Sequence, residues 1–225
     1  LLLLLIYLAF ISLGLPDSLL GSAWPVIHQE LQVPLSYAGA VTMIVSFGTI
    51  CSSLMSERLT KKLGVNIVTV CSVLLTAIAL YGFSTASAFW MLCLWGIPYG
   101  LGAGAIDAAL NNYVALHYNS RHMSWLHCFW GVGTIISPYI MSYALTTSVW
   151  QNGYRMVSFL QMGITVILLV TLPVWKVNRK ANEQKAEQAA VIGIRGALKI
   201  KGSSTVIAWL FLLLLIRIHV IVMVQ

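Results

Sequence analysis

Trp95 to Asn112, WGIPYGLGAGAIDAALNN, is an apolar segment of membrane-span character with a carboxylate and two amides in its second half. A charged side chain at bilayer depth costs at least about 2.5 to 3.5 kcal/mol on insertion scales, so Asp107 is expected to face protein or a watery cavity and not lipid. Asn111 follows four residues on, and Gly100 and Gly104 lie seven and three residues back, so at helical spacing the four fall on roughly one face. Small residues let a second helix approach closely, which seats the polar end in a seam between helices. Two readings of that end stay open: a clasp that only holds a bundle together, or a site for solute or proton.

The surrounding chain supports the membrane reading. With 59% hydrophobic and 8% charged residues, it lies outside what a soluble domain of 225 residues carries without aggregating. A spanning chain must satisfy its backbone internally, which leaves helices or closed barrels, and the apolar runs are far longer than the roughly 10 residues of a barrel strand. The fold class is therefore all-α integral membrane. Apolar segments run from about Leu1 to Val26, Leu35 to Met55, Val65 to Ala86, Phe89 to Leu116, Met123 to Leu145, Tyr154 to Trp175 and Thr205 to Val224. Each approaches the roughly 20 residues needed to cross the hydrocarbon. Residues 1–175 are expected to form a six-helix bundle, 176–203 a basic linker and 204–225 a seventh span opening a truncated second half. The chain begins on Leu1 and not Met, so its first residues are expected to be missing or removed. Leu1 to Val26 is too long for a signal peptide and contains Pro16 and Asp17, so it reads as a mature span.

Basic residues set an expected orientation. Arg58, Lys61 and Lys62 follow the second segment, Arg121 the fourth, and Lys176, Arg179, Lys180, Lys185, Arg195, Lys199 and Lys201 the sixth. The amino terminus and loops 2–3, 4–5 and 6–7 are thus expected to be cytoplasmic in a multi-pass protein of the cell membrane. The net charge of +7 is explained by this topology and calls for no nucleic-acid partner. The long linker reads either as an interfacial helix or as a solvated segment held by anionic lipid. The last segment is uniformly Leu/Ile/Val-rich, with Arg217 and His219 placed to snorkel.

Candidate chemistry centres on carboxylates. Asp17 follows Pro16, whose ring removes a backbone donor and breaks the helix, leaving a carboxylate beside freed carbonyls. A carboxylate that passes between dry and wet surroundings exchanges its proton, so Asp17 and Asp107 are candidate proton carriers, with a cap or clasp as the alternative for Asp17. Asn111, Asn112 and His127 suit solute hydroxyls, and Trp130 suits the face of a sugar ring. Tyr99 and Trp24 are aromatic candidates for the same cavity, or else packing and interface residues. Cys51, Cys71, Cys93 and Cys128 show no ligand spacing and read as buried thiols filling space. His117, His122 and His127 step by five, about 140° apart on a helix, which disfavours a metal site. No cofactor is expected, and no phosphate loop, nucleophile elbow or HExxH pair points to an enzyme.

Two stretches carry a family resemblance. SLMSERLTKKLG, Ser53 to Gly64, resembles the major facilitator superfamily signature between spans two and three, with Glu57 for the usual Asp, Arg58 after it, and Lys61 and Lys62 at the basic positions. GVGTIISP, Gly131 to Pro138, is similar to that family's GxxxGP element. The resemblance implies a six-helix half of a major-facilitator-type transporter and gives Glu57, Arg58, Lys61 and Lys62 the role of a cytoplasmic latch; the same charges also read as a topogenic turn. Within the family, IDAALNN and HCFWGVGTIISP look most like the fucose/glucose/galactose:proton symporter branch, where acids in spans one and four and an Asn after the second correspond to Asp17, Asp107 and Asn111. Trp130 stands where that branch has an Asn, so its sugar contacts do not carry over. The function so implied is proton-coupled symport of a small polar solute, expected to be a sugar, by alternating access. The alternatives are efflux of an amphipathic compound, or a non-transporting remnant or half-size scaffold. Partners are then the solute, protons, the bilayer and either a second half or a homodimer mate.

Overall fold

The computed structural model describes residues 1–173 and 175. They form helices throughout: α1 (Leu2–Gly14), α2 (Leu19–Glu30), α3 (Tyr37–Leu63), α4 (Val65–Ser84), α5 (Phe89–His117), α6 (Ser120–Thr147) and α7 (Trp150–Val170), with no strand among the described residues. α1 and α2 are two parts of one span, Leu2–Glu30, so these helices make six spans long and apolar enough to cross a membrane. The expected linker 176–203 and seventh span 204–225 lie outside the described residues.

The interruption between α1 and α2 falls at residues 15–18, which contain Pro16 and Asp17. Apolar side chains pack on either side of it. Leu5, Ile6 and Phe10 of α1 join a core with Val73, Ile106, Leu110, Leu126 and Leu168. Leu19, Trp24 and Ile27 of α2 join another with Leu80, Leu92, Met141 and Trp150. The broken span is thus held at both ends, and within the break Leu15 joins the second core while Asp17 stays exposed.

α3 and α5 meet at backbone distance. A Cβ on Gly100 would overlap the Val45 carbonyl oxygen, and one on Gly104 would overlap that of Thr49. The close approach lets hydroxyls of α3 reach carbonyls of α5: Thr49 to Gly100 at 3.3 Å, Ser53 to Gly104 and Ser56 to Ala105 at 3.2 Å, and Ser52 to Leu101. Hydroxyl-to-carbonyl bonds of this kind are one way helices associate where lipid supplies no hydrophobic drive. α1 and α6 cross in the same manner, Gly14 against the Trp130 carbonyl and Gly133 against that of Ile11. Of the two glycines in GVGTIISP, Gly133 makes the close contact and Gly131 faces open space.

Two expectations need correction. The Ser53–Gly64 stretch is not a connection: α3 continues through Leu63, and the turn is Gly64 alone, at φ 86°. Such a positive φ suits glycine, which lacks the Cβ that clashes there. The cysteines are not buried filler: Cys71 and Cys128 are exposed, and Cys51 and Cys93 are half-buried. In a bilayer an apolar side chain gains as much against lipid as in a core, so its type does not specify the inside.

Candidate functional site

The break in the first span presents Asp17 to α5 and α6. The Tyr99 hydroxyl donates to Oδ1 at 3.0 Å, and the Trp130 indole Nε1–H donates to Oδ2 at 2.9 Å. Each carboxylate oxygen is therefore held by a different helix. Asp17 itself is exposed, whereas Tyr99 is buried. Edge-on contact with Phe83 flanks the Tyr99 ring.

Backbone geometry explains why Trp130 reaches this point. Gly14 lets the α6 backbone press against the end of α1 at Trp130 itself. Thr134, one turn along, donates its hydroxyl to the Gly14 carbonyl at 3.4 Å and to the Trp130 carbonyl at 3.1 Å, alternatives for its single proton. The Gly14 carbonyl also receives the Asp17 N–H at 3.3 Å, a tight turn in place of the helical bond.

A second polar group lies further along α5. Asp107 is eight residues beyond Tyr99, a little over two turns or about 12 Å along the axis. Asn111 donates Nδ2–H to Asp107 Oδ1 at 2.9 Å, and nothing among the described residues donates to the buried Asn111 Oδ1. His127 lies one turn before Trp130 on α6, its ring edge-on to Phe10 of α1. Asp107 and Asn111 on α5, with His127 and Trp130 on α6, extend the polar groups at Asp17 into a strip along these two helices.

Not every candidate falls in that strip. Gly100 and Gly104 share a helical face with Asp107 in projection, yet the glycines meet α3 while Asp107 is bonded by Asn111 one turn on. Asn112 is exposed, as is His127. Trp24 lies apart: it is buried, and its indole donates to the Leu35 carbonyl at 2.7 Å, bracing the link into α3. At the other end, Glu57 pairs with Lys61 one turn on, at 2.8 Å, both side chains more than half exposed. Arg58 and Lys62 make no ion pair among the described residues. His117 bonds the Tyr113 carbonyl and His122 bonds Tyr7, so neither histidine joins His127.

One residue of the site neighbourhood escapes sequence reading. Gln161 of α7 is buried and donates Nε2–H to the Ser12 carbonyl of α1 at 2.6 Å. The available signals are an amide in the apolar second half of α7, well past Gln151, Asn152 and Arg155, and Pro16, which leaves the carbonyl four residues earlier without its donor.

Six apolar spans, with the Asp17 carboxylate held by hydrogen bonds from two other helices, define a multi-pass integral membrane protein of the helical-bundle class. The model of the Major Facilitator Superfamily matches residues 6–224, and the chain belongs to that family. It is also similar to bypass of stop codon protein 6 of Saccharomyces cerevisiae, 23% identical over 170 residues, which is 74% of this chain and 34% of that protein. The chain thus spans about a third of the length of the curated relative it matches.

Proposed function

We propose that the chain forms the proton-coupled, solute-binding part of a secondary transporter that takes up a small polar solute, with a sugar as the expected class. Membership of the family supports transport and a bilayer setting. The observation that carries the coupling is the Asp17 carboxylate, gripped by Tyr99 from α5 and Trp130 from α6 at the break of the first span.

The donors differ in what they allow. An indole N–H only donates, while a phenol hydroxyl can also accept. A proton arriving at Asp17 therefore goes to Oδ1, where Tyr99 turns from donor to acceptor, and the Trp130 bond to Oδ2 loses its charge assistance. Loading the proton thereby loosens α6 from the break, and losing it tightens that grip. Asn111 and His127 would meet solute hydroxyls in the same strip, with Asp107 orienting the Asn111 amide. The likeness to the fucose/glucose/galactose:proton symporter branch supports the sugar and the symport, and the basic residues support a cytoplasmic amino terminus in the cell membrane.

Uptake into proteoliposomes, driven by a proton gradient, tests the reading with Asp17→Asn and Asp107→Asn. Loss of accumulation with retained exchange of solute down its own gradient is the expected result. Accumulation equal to the parent in both variants would remove the carboxylates from the mechanism. Export of amphipathic compounds, with no stereospecific competition by sugars, would favour efflux by the same fold.

A further inference from the structure

In an unbroken helix the Ser12 carbonyl would accept the N–H of residue 16, four positions on. Residue 16 is proline and has no N–H. The carbonyl is buried, so it needs another donor, and lipid supplies none. Gln161 of α7 supplies it: Nε2 lies 2.6 Å from the Ser12 oxygen. The orientation of the amide is fixed by this contact, because a carbonyl can only accept.

The far end of the amide is fixed too. Gln161 Oε1 accepts from the Thr76 hydroxyl of α4 at 3.0 Å, a proton that the Val73 carbonyl also competes for at 2.9 Å. Gln161, Thr76 and Ser12 are all at most 3% exposed. Two residues further along, still at the end of α1, the Gly14 carbonyl is within reach of the Thr134 hydroxyl of α6, which it shares with the Trp130 carbonyl. The loosened turn is thus tied through Ser12 to α7 and through Gly14 to α6. Asp17 sits at its tip.

We propose that Gln161 is a positioning residue for Asp17: by capping the carbonyl that Pro16 orphans, it holds the break in the geometry that aims the carboxylate at Trp130 and Tyr99. The contribution is to geometry and does not depend on whether Asp17 carries a proton, though its use in transport rests on the function proposed above.

The test reads position directly. In protein labelled with 15N-tryptophan, the indole N–H resonance of Trp130 is assigned by Trp130→Phe, and its displacement in Asp17→Asn calibrates loss of the bond. Gln161→Met removes both hydrogen bonds at similar size. It is expected to move the Trp130 resonance in the same sense as Asp17→Asn while leaving in place that of Trp24, which lies in the same span as Asp17 and is bonded to the Leu35 carbonyl. The movement is expected to be smaller in the Pro16→Ala background, where a main-chain N–H is again available to Ser12. If Gln161→Met does not fold, Thr76→Val, which releases the far end of the amide, is expected to give a smaller shift of the same sign. A Trp130 resonance that stays put while thermal stability falls would reduce Gln161 to a packing clasp and overturn the proposal. So would equal movement of Trp24, or a full-sized effect in the Pro16→Ala background. Failure of proton-driven uptake in the parent would count against the transport reading and leave this measurement standing.

Discussion

Trp130 donates its indole N–H to the Asp17 carboxylate across 2.9 Å, although 113 residues separate them in the chain. The contact exists because two features coincide: Gly14 admits the α6 backbone to the end of α1, and Pro16 turns the following residue out of the helix. Neither alone would bring indole and carboxylate together.

Removing that donor should disturb the site more than the fold. A hydrogen bond to a charged group is worth about 1.5 to 3 kcal/mol when shielded, and each 1.4 kcal/mol corresponds to about a tenfold change. Trp130 is 37% exposed, so only part of this registers in stability. Trp130→Phe is expected to lower proton-driven uptake about tenfold, with a change in melting temperature smaller than that of Tyr99→Phe, which removes the bonded hydroxyl of a buried residue. Parallel uptake assays and thermal melts in lipid nanodiscs check the order. A Trp130→Phe protein that melts much earlier yet transports normally would make the indole a packing element.

Gly131 and Gly133 offer a paired test of how α6 meets α1. A Cβ at position 133 would collide with the Ile11 carbonyl, while one at position 131 meets nothing within 4 Å. Gly133→Ala is expected to destabilise by about 1 to 3 kcal/mol, the usual range for overpacking. Gly131→Ala should be neutral or stabilising by up to about 1 kcal/mol, because alanine is the better helix former. Gly133→Ala should melt earlier than the parent and Gly131→Ala no earlier; equal losses would mean that the α1–α6 crossing differs from the one described.

The six described spans were legible because each apolar run approaches bilayer thickness, and Asp17 and Asp107 stood out because a charge in such a run demands a reason. What hydropathy hides is rotation. In lipid an apolar side chain is as content outside as inside, so the sequence did not say which way Cys71 or Trp130 faces. The ring face that Trp130 is expected to offer to solute says nothing of its edge, whose N–H is committed to Asp17. The Ser12 carbonyl was invisible for another reason: it is backbone, and its need for Gln161 arises only once Pro16 and α7 are placed together. The charged run at Glu57 looked like a loop because it is polar, although its residues include helix formers and Glu57 to Lys61 is an i,i+4 pair.

That pair separates stability from latching. Exposed i,i+4 ion pairs on helices contribute about 0.3 to 0.5 kcal/mol. Glu57→Gln should therefore leave the melting temperature close to that of the parent. If the Glu57, Arg58, Lys61 and Lys62 cluster serves as a cytoplasmic latch, the same variant slows uptake severalfold while solute affinity is retained. Normal transport rates in Glu57→Gln would reduce the cluster to a topogenic element.

Asn111 leaves an acceptor without a donor, and this predicts where solute adds stability. Its Nδ2 is committed to Asp107 at 2.9 Å, and its buried Oδ1 receives nothing among the described residues. A buried acceptor in that condition costs about 1 to 3 kcal/mol, a cost that a solute hydroxyl would remove on binding. A ligand at a hundred times its dissociation constant adds about 2.7 kcal/mol of stability. The parent should therefore melt later in the presence of the right member of a sugar panel, and Asn111→Ala should lose most of that gain while melting no earlier than the parent without sugar. Asp107→Asn, which frees the amide to turn, is expected to weaken the shift without abolishing it. An Asn111→Ala protein that is stabilised by the sugar as much as the parent would show that the solute is held elsewhere in the strip, and His127→Ala would be the next variant to melt with and without sugar.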